Sequence, residues 1–258
     1  MPSILFEIKD AIAFVTLNRP EKFNSFNREM ALSLQEVLNN IHNDHSIRCV
    51  YLTGAGKAFC AGQDLAEVVD PNGPGMAKIL PEHFNPITIL LRNLNKPVVC
   101  AVNGVAAGAG ANFALAGDVV IAKESAAFIQ AFSKIGLVPD SGGTFTLPRL
   151  IGLQKASAFM MLGEKVSAKD AEQMGMIYKW FPDETFEEES LKIAYTLMNM
   201  PTKALALTKE ALNKSVNNNL AEQLSLEDKL QQQAASSYDF REGVTAFMEK
   251  RKPVFKGE

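Results

Sequence analysis

A chain of 258 residues with 47% hydrophobic and 21% charged side chains has an ordinary globular composition, enough for one large domain or a core with an appendage, and needs neither disulfides nor metal to fold. Its net charge of -3 and lack of any basic block leave no footprint for nucleic acid. The three cysteines, Cys49, Cys60 and Cys100, are odd in number, sit in apolar surroundings and lack metal-ligand spacing, so they read as buried free thiols in a reducing compartment.

The opening residues MPSILFEIKD show neither a basic leader nor a long apolar run, so no signal peptide is expected and the cytoplasm is the default location. Residues 4–9 and 12–17 alternate in polarity and predict a hairpin. After the break at Asn18-Arg19-Pro20, the residues Met30, Leu34, Val37, Leu38 and Ile41 fall at helical spacing, with Asn27 as the cap. Residues 49–52 predict a short buried strand, followed by a turn at 54–57. Residues 66–84 hold Pro71, Gly73, Pro74, Gly75 and Pro81 and read as a loop, a candidate mobile lid. A helix is expected over 87–94 and a strand over 97–102. The stretch 97–122 is apolar enough to suggest a membrane span, but Asn103, Asn112, Asp118 and several glycines interrupt it. It reads instead as a strand, a turn and a buried helix. Further strands are expected at 119–122 and 127–129. Beyond residue 150 helices are predicted over 153–162, 167–174, 186–200, 203–216, 220–234 and 240–250. Short strands separated by helices, then helices alone, predict an α/β core with a helical tail available for oligomerisation.

One carboxylate stands out. Asp140 lies in Phe132–Arg149, FSKIGLVPDSGGTFTLPR, where Pro139-Asp140-Ser141-Gly142-Gly143 reads as a tight turn opening a helix. The plain reading is a capping Asp; the chemical one is an acid/base in an apolar setting. A helix N-terminus stabilises its anion by roughly 0.3–1 kcal/mol. Burial beside Phe132, Val138 and Phe145 raises its pKa by more, and is expected to win once substrate closes the pocket. Two glycine-rich turns, Phe59–Asp64 and Ala107–Ala111, each follow a short apolar strand. Facing each other, they could donate backbone N–H groups to one oxygen. Three local matches fail. Asp140-Ser141-Gly142-Gly143 lacks the glycine and histidine context of a serine triad. Thr53–Ala58 lacks the first glycine and the hydroxyl of a phosphate loop. Gly108–Phe113 lacks the third glycine of a dinucleotide fingerprint. His42 and His45 read as solvated, and His83 falls in the proposed lid.

Asn18-Arg19-Pro20, the Ala58–Asp64 run AFCAGQD, Asn95-Lys96-Pro97-Val98, the Val102–Gly108 run VNGVAAG and Asp140–Thr144 occur together in the order and spacing of the enoyl-CoA hydratase/isomerase (crotonase) family. The sequence resembles that family over essentially its whole length. The resemblance implies an α/β spiral of ββα units over residues 1–200 that carries an acyl-CoA site. It also implies a C-terminal helical region, 201–258, that builds a homotrimer or a dimer of trimers. The partner implied is an acyl-CoA, its coenzyme A being part of the substrate, with no metal, nucleic acid or membrane. The family's oxyanion donors fall by position on the N–H groups of Ala61 and Ala109. Lys22, Phe23 and the turn containing Gln63, Asp64 and Leu65 match where the family holds the CoA moiety, and Gly108, Asn112, Phe132 and Val138 join the substrate-binding set.

The departures from the family's pattern carry information too. The two glutamates with which its hydratases activate water fall on Asn112 and Phe132, and neither can act as a general base. The carboxylate comes from Asp140, at or beside the position where the family's isomerases carry theirs. The strings 105–112 and 136–144 are most similar to ring-1,2-epoxyphenylacetyl-CoA isomerases of phenylacetate breakdown, a group that overlaps with Δ3-Δ2 enoyl-CoA isomerases. The alternatives are a hydratase, an aryl-CoA dehalogenase with Asp140 as nucleophile and a histidine wanted near Asn85, and a non-catalytic acyl-CoA-binding protein. Asn112 has two readings, a hydrogen bond to backbone inside its helix or a neutral contact to the acyl group.

Overall fold

Alternating polarity at the N-terminus produces the hairpin β1 (Ile4–Lys9) and β2 (Ile12–Leu17), paired antiparallel from Ile4 opposite Leu17 to Lys9 opposite Ile12. The computed structural model describes all 258 residues. The remaining strands are β3 (Cys49–Gly54), β4 (Ala58–Cys60), β5 (Val98–Val102), β6 (Val105–Ala107), β7 (Val119–Lys123), β8 (Ala127–Ile129), β9 (Lys165–Ser167) and β10 (Lys179–Phe181). They form a six-stranded sheet in the order β1-β2-β3-β5-β7-β10 and a four-stranded sheet in the order β4-β6-β8-β9. Beyond the hairpin the large sheet is parallel throughout. In each of the pairs β3/β4, β5/β6 and β7/β8 the first strand joins the large sheet and the second joins the small one, before the chain turns into helix. Repeated, this step makes a spiral of ββα units.

The helices are α1 (Arg28–Asn43), α2 (Leu65–Val69), α3 (Met76–Lys78), α4 (Asn85–Asn93), α5 (Ala109–Leu115), α6 (Gly143–Leu162), α7 (Ala168–Gln173), α8 (Phe186–Met198), α9 (Thr202–Ser215), α10 (Leu220–Ala235) and α11 (Tyr238–Met248). Asn27 caps α1 by accepting from Met30 N at 3.0 Å, as its sequence position predicts. Every residue of β5 is buried, because both faces of the parallel sheet are covered. The main core fills one face, and a second cluster packs Ile12, Tyr51, Val99 and Ile121 of the other face against Phe186 and Ala194 of α8. The three cysteines are free and buried, and burial pushes each thiol up to about 12. No helix is long and apolar enough to cross a membrane.

Two expectations need correction. Residues 66–84 are not one loop: α2, α3 and a π-helical turn at Ile79–Phe84 run almost continuously into α4. The helix-breaking residues act only between Asp70 and Gly75, and Pro81 lies within the π-helical turn that continues α3. The region beyond 150 is not all helical, since β9 and β10 extend the two sheets. Three-residue strands leave no readable alternation. The turn expected at Pro139–Gly143 does open a helix, α6, at Gly143, and the helix expected over 153–162 is its second half, set off by Gly152, whose φ of 77° lies outside the helical region.

Candidate active site

The small sheet brings two turns side by side. β4 and β6 are parallel neighbours, so the Ala61-Gly62-Gln63 turn after β4 lies against the Gly108-Ala109 turn after β6. A Cβ on Gly62 would stand 3.0 Å from Ala107 O and 3.4 Å from Ala109 N. Gly108 takes φ 54°, ψ -127°, a backbone shape that excludes other residues. Ala109 opens α5, so its N–H has no acceptor within the helix.

The N–H of Ala61, the other expected donor, is not free. Ala61 N–H is spent on Phe23 O at 2.9 Å, whereas Gln63 N–H has no backbone acceptor. Gln63 and Ala109 both line a cavity of about 210 Å³. Which N–H of the turn is left free is decided by the Phe23 and Phe26 carbonyls across from it, which accept from Ala61 and Asp64.

The cavity is largely apolar, with Gln63, Lys134 and Asp140 as its polar side chains. Leu65 lines it from the turn after β4, Val68, Met76, Ile79 and Phe84 from the segment expected to be a loop, and Phe132, Ile135 and Leu137 from the segment after β8. Phe84 is locked edge-to-face with Phe26 and Phe113, at centroid distances of 6.2 and 5.4 Å. Among the lining residues Asp140 is the one carboxylate. Its turn holds two consecutive left-handed residues, Ser141 at φ 51° and Gly142 at φ 78°, a strain that persists only where surrounding bonds fix it.

Ser141 Oγ donates to Asp140 Oδ1 at 2.8 Å. The Asp140 carbonyl accepts from Gly143 N at 2.8 Å and from Asn112 Nδ2 at 2.8 Å. The carboxylate makes no capping bond to α6, so the capping reading fails. Burial pushes the Asp140 carboxyl up to about 6, opposed by the Ser141 hydrogen bond. Burial therefore prevails in the free chain, without substrate. Its apolar neighbours are not all those expected, because Val138 is 77% and Phe145 47% exposed.

Of the residues singled out in the sequence, Ala61, Gln63, Leu65, Gly108, Ala109, Phe132 and Asp140 line the cavity. Val138 lies outside it. Asp64 pairs with Arg19 at 2.9 Å and caps α2 through Ala66 N at 3.1 Å. Lys22 closes a short 3-10 turn and Phe23 follows it in the left-handed region, exposed. Asn112 is buried behind the wall and bonds to the Asp140 turn, matching neither of its two sequence readings fully: its partner is backbone, but not of its own helix. Gln130, which donates to Asn112 Oδ1 at 2.7 Å, has no sequence signal beyond being a polar residue directly after a buried strand. His83 is buried with Nε2 3.0 Å from Arg28 Nη1. Since the guanidinium can only donate, Nε2 accepts and the ring is neutral, in keeping with the burial that lowers its pKa. Arg28 also pairs with Glu82, and its N–H donates to Glu67 at 2.8 Å, which ties the two cavity-lining helical segments to the start of α1.

A spiral of ββα units, two abutting turns with free N–H groups and one buried carboxylate give a fold and a site that can be compared with known proteins. The family model for enoyl-CoA hydratase/isomerase matches residues 7–258. The chain is 48% identical over 261 residues to the 1,2-epoxyphenylacetyl-CoA isomerase of Escherichia coli (strain K12), covering 100% of both chains. It is 44% identical to a Rhodobacter capsulatus protein named probable enoyl-CoA hydratase, covering 99% of this chain and 98% of that one. The crystal structure of an enoyl-CoA hydratase from Bacillus anthracis superimposes with a TM-score of 0.92 at 33% identity, covering 99% of this chain and 100% of that one. Fold, cavity and full-length sequence similarity agree, and the chain belongs to the enoyl-CoA hydratase/isomerase family.

Proposed function

We propose that the protein is an isomerase of CoA thioesters with Asp140 as its single acid/base and the N–H groups of Gln63 and Ala109 as its oxyanion hole. One observation carries this reading: Asp140 is the one carboxylate in an apolar cavity that both free N–H groups also line. With a 3-enoyl-CoA, Asp140 takes a proton from the α carbon. The electron pair spreads into a dienolate whose oxygen accepts from the two N–H groups, and Asp140 returns the proton to the γ carbon, leaving the double bond conjugated. Each oxyanion donor is typically worth about 2.7–4 kcal/mol of transition-state stabilisation. The same enolate chemistry can drive rearrangement of a ring epoxide. The full-length similarity to a 1,2-epoxyphenylacetyl-CoA isomerase and a compact apolar cavity favour 2-(1,2-epoxy-1,2-dihydrophenyl)acetyl-CoA as substrate, with a straight 3-enoyl chain second.

Hydration is disfavoured because no second carboxylate lines the cavity to activate water. Dehalogenation is disfavoured because His83 is engaged with Arg28 and does not line the cavity. A purely binding role leaves the cost of burying Asp140 unexplained. We further propose a cytoplasmic homotrimer or dimer of trimers, a compartment supported by three reduced, buried cysteines.

The test is turnover of the two acyl-CoA substrates by the parent and by Asp140→Asn. Loss of a general acid/base predicts a fall of about 10²–10⁴-fold on whichever substrate the parent turns over. Full turnover by a folded Asp140→Asn protein sinks the reading.

A further inference from the structure

We propose that Asn112 is a positioning residue for Asp140: its buried amide ties the main chain of the base to the same helix that presents the Ala109 N–H. The inference rests on the role given to Asp140 above and adds how that role is held in place.

Asn112 is 3% exposed and lies three residues after Ala109 in α5, whose other members are Ala, Gly, Phe and Leu. Its amide cannot turn. The Asp140 carbonyl can only accept, so Nδ2 must face it, at 2.8 Å; Oδ1 then faces a donor, Gln130 Nε2, at 2.7 Å. The opposite orientation would set oxygen against oxygen at one end and NH2 against NH2 at the other. Gly143 presses on the same amide, with no room between them for a Cβ.

Satisfying the carbonyl does not require Asn112. The Asp140 carbonyl already accepts from Gly143 N at 2.8 Å, so the second donor adds direction, not satisfaction. The arrangement is also costly. Gln130 is fully buried, and its Oε1 has no hydrogen-bond partner, where an apolar pair at 112 and 130 would leave nothing unmet. What the polar pair supplies is registration. One end of α5 carries a free N–H for the developing oxyanion, and its next turn fixes the backbone that carries the base. Ser141 Oγ then fixes the rotation of the carboxylate itself at 2.8 Å. Donor and base are thus held by one helix, and the strained Ser141-Gly142 backbone is kept from relaxing.

The test compares full-length Asn112→Ala and Gln130→Met with the parent and with Asp140→Asn. It follows isomerisation of 2-(1,2-epoxy-1,2-dihydrophenyl)acetyl-CoA and of a 3-enoyl-CoA across pH, alongside melting. Misplacing the base by about an ångström predicts a kcat for Asn112→Ala about 10²-fold lower. KM should change far less than kcat, as for a group that acts in the transition state. The acidic inflection of kcat/KM should move down, because a loosened carboxylate meets more water. Gln130→Met keeps Asn112 but removes what orients it; it should move kcat and the inflection in the same directions by less, and it decides the matter alone if Asn112→Ala does not fold. Folded variants with unchanged kcat overturn the inference. So does a fall in kcat with an unmoved inflection, the mark of a generally loosened fold. If Asp140→Asn is inactive while both variants behave as the parent, only this inference fails; if Asp140→Asn keeps turnover, the reading of the site falls with it.

Discussion

Burial holds the Asp140 carboxyl at about 6 instead of its ordinary 3.8, so at neutral pH the folded protein keeps an anion that is costlier to hold there than in the unfolded chain. The sign follows from linkage. Below about pH 3.8 both folded and unfolded chains carry the protonated acid and there is no penalty. As pH rises from there to about 6, the unfolded chain ionises first and stability falls; above 6 the penalty is complete, at up to about 3 kcal/mol for a shift of roughly two units. Asp140→Asn is therefore expected to melt higher than the parent at pH 7–8, with the advantage vanishing near pH 3. Denaturant unfolding of both proteins across pH checks this, and a pH-independent difference refutes it. The same carboxyl must be ionised to accept a proton, so kcat/KM for isomerisation should rise through an inflection near pH 6 and level off above it. A flat pH–rate profile between 5 and 8 contradicts that assignment. At this scale Asp140 marked itself in the sequence as a lone acid among apolar residues, and two glycine-rich turns were legible as sources of free N–H groups, while Ala109 itself came from the family resemblance. Gln63 was not legible as the free N–H of its turn. Its freedom depends on which N–H groups the distant Phe23 and Phe26 carbonyls take, a contact that no local pattern encodes.

Helix α9 is bonded to the core at Thr202, Lys209 and Asn213, and Lys209 is the buried cation among them. Lys209 Nζ reaches Asp118 Oδ2 at 2.8 Å, the Leu91 carbonyl at 2.8 Å and the Lys96 carbonyl at 3.4 Å. Asp118 Oδ2 also accepts from Val98 N at 2.8 Å, at the start of β5. Burial lowers the Lys209 pKa, and Asp118 opposes that by favouring the charged form. Lys209→Met would leave two carbonyls without this donor and the carboxylate with only the Val98 N–H and Arg92, 3.9 Å away. Removing one partner of a buried pair typically costs about 3–5 kcal/mol, so this substitution should lower stability by a similar amount, and a second change, Asp118→Asn, should recover part of the loss. Urea unfolding of the single and double variants measures this; a loss under about 1 kcal/mol for Lys209→Met would mean that the contact is not an anchor. The helical identity of α9 was plain from its periodicity, but Lys209 reads as one more lysine on an amphipathic helix. Its burial depends on Asp118, 91 residues away. The cavity-lining segment at 65–84 was obscured differently, by five prolines and glycines that break only one stretch of it.

An α/β core was legible because short apolar strands alternate with turns and helices, and the spiral was implied by the family resemblance, but the packing of the tail belongs to the whole molecule. On α11, Phe247 is 82% and Met248 76% exposed, with Val244 and Phe240 beside them about half exposed; Leu220 and Leu224 of α10 and Leu212 of α9 are likewise exposed. Two open grooves of about 460 and 750 Å³ run between these helices. A monomer rarely leaves a contiguous apolar face of this kind in water, and the first part of the chain does not use it. Burying these side chains between copies of the chain is the arrangement expected of the proposed trimer. Fully covering a Phe or Met side chain contributes roughly 1.5–3 kcal/mol, and three equivalent copies repeat each such gain. Sedimentation velocity of the parent should therefore give a trimer or a multiple of three. Phe247→Asp with Met248→Asp, which puts charges on an exposed face without touching the cavity, should shift the distribution toward monomer while far-ultraviolet circular dichroism stays unchanged. A parent that sediments as a monomer, or a double variant that remains trimeric, would place the contacts between copies elsewhere on the molecule.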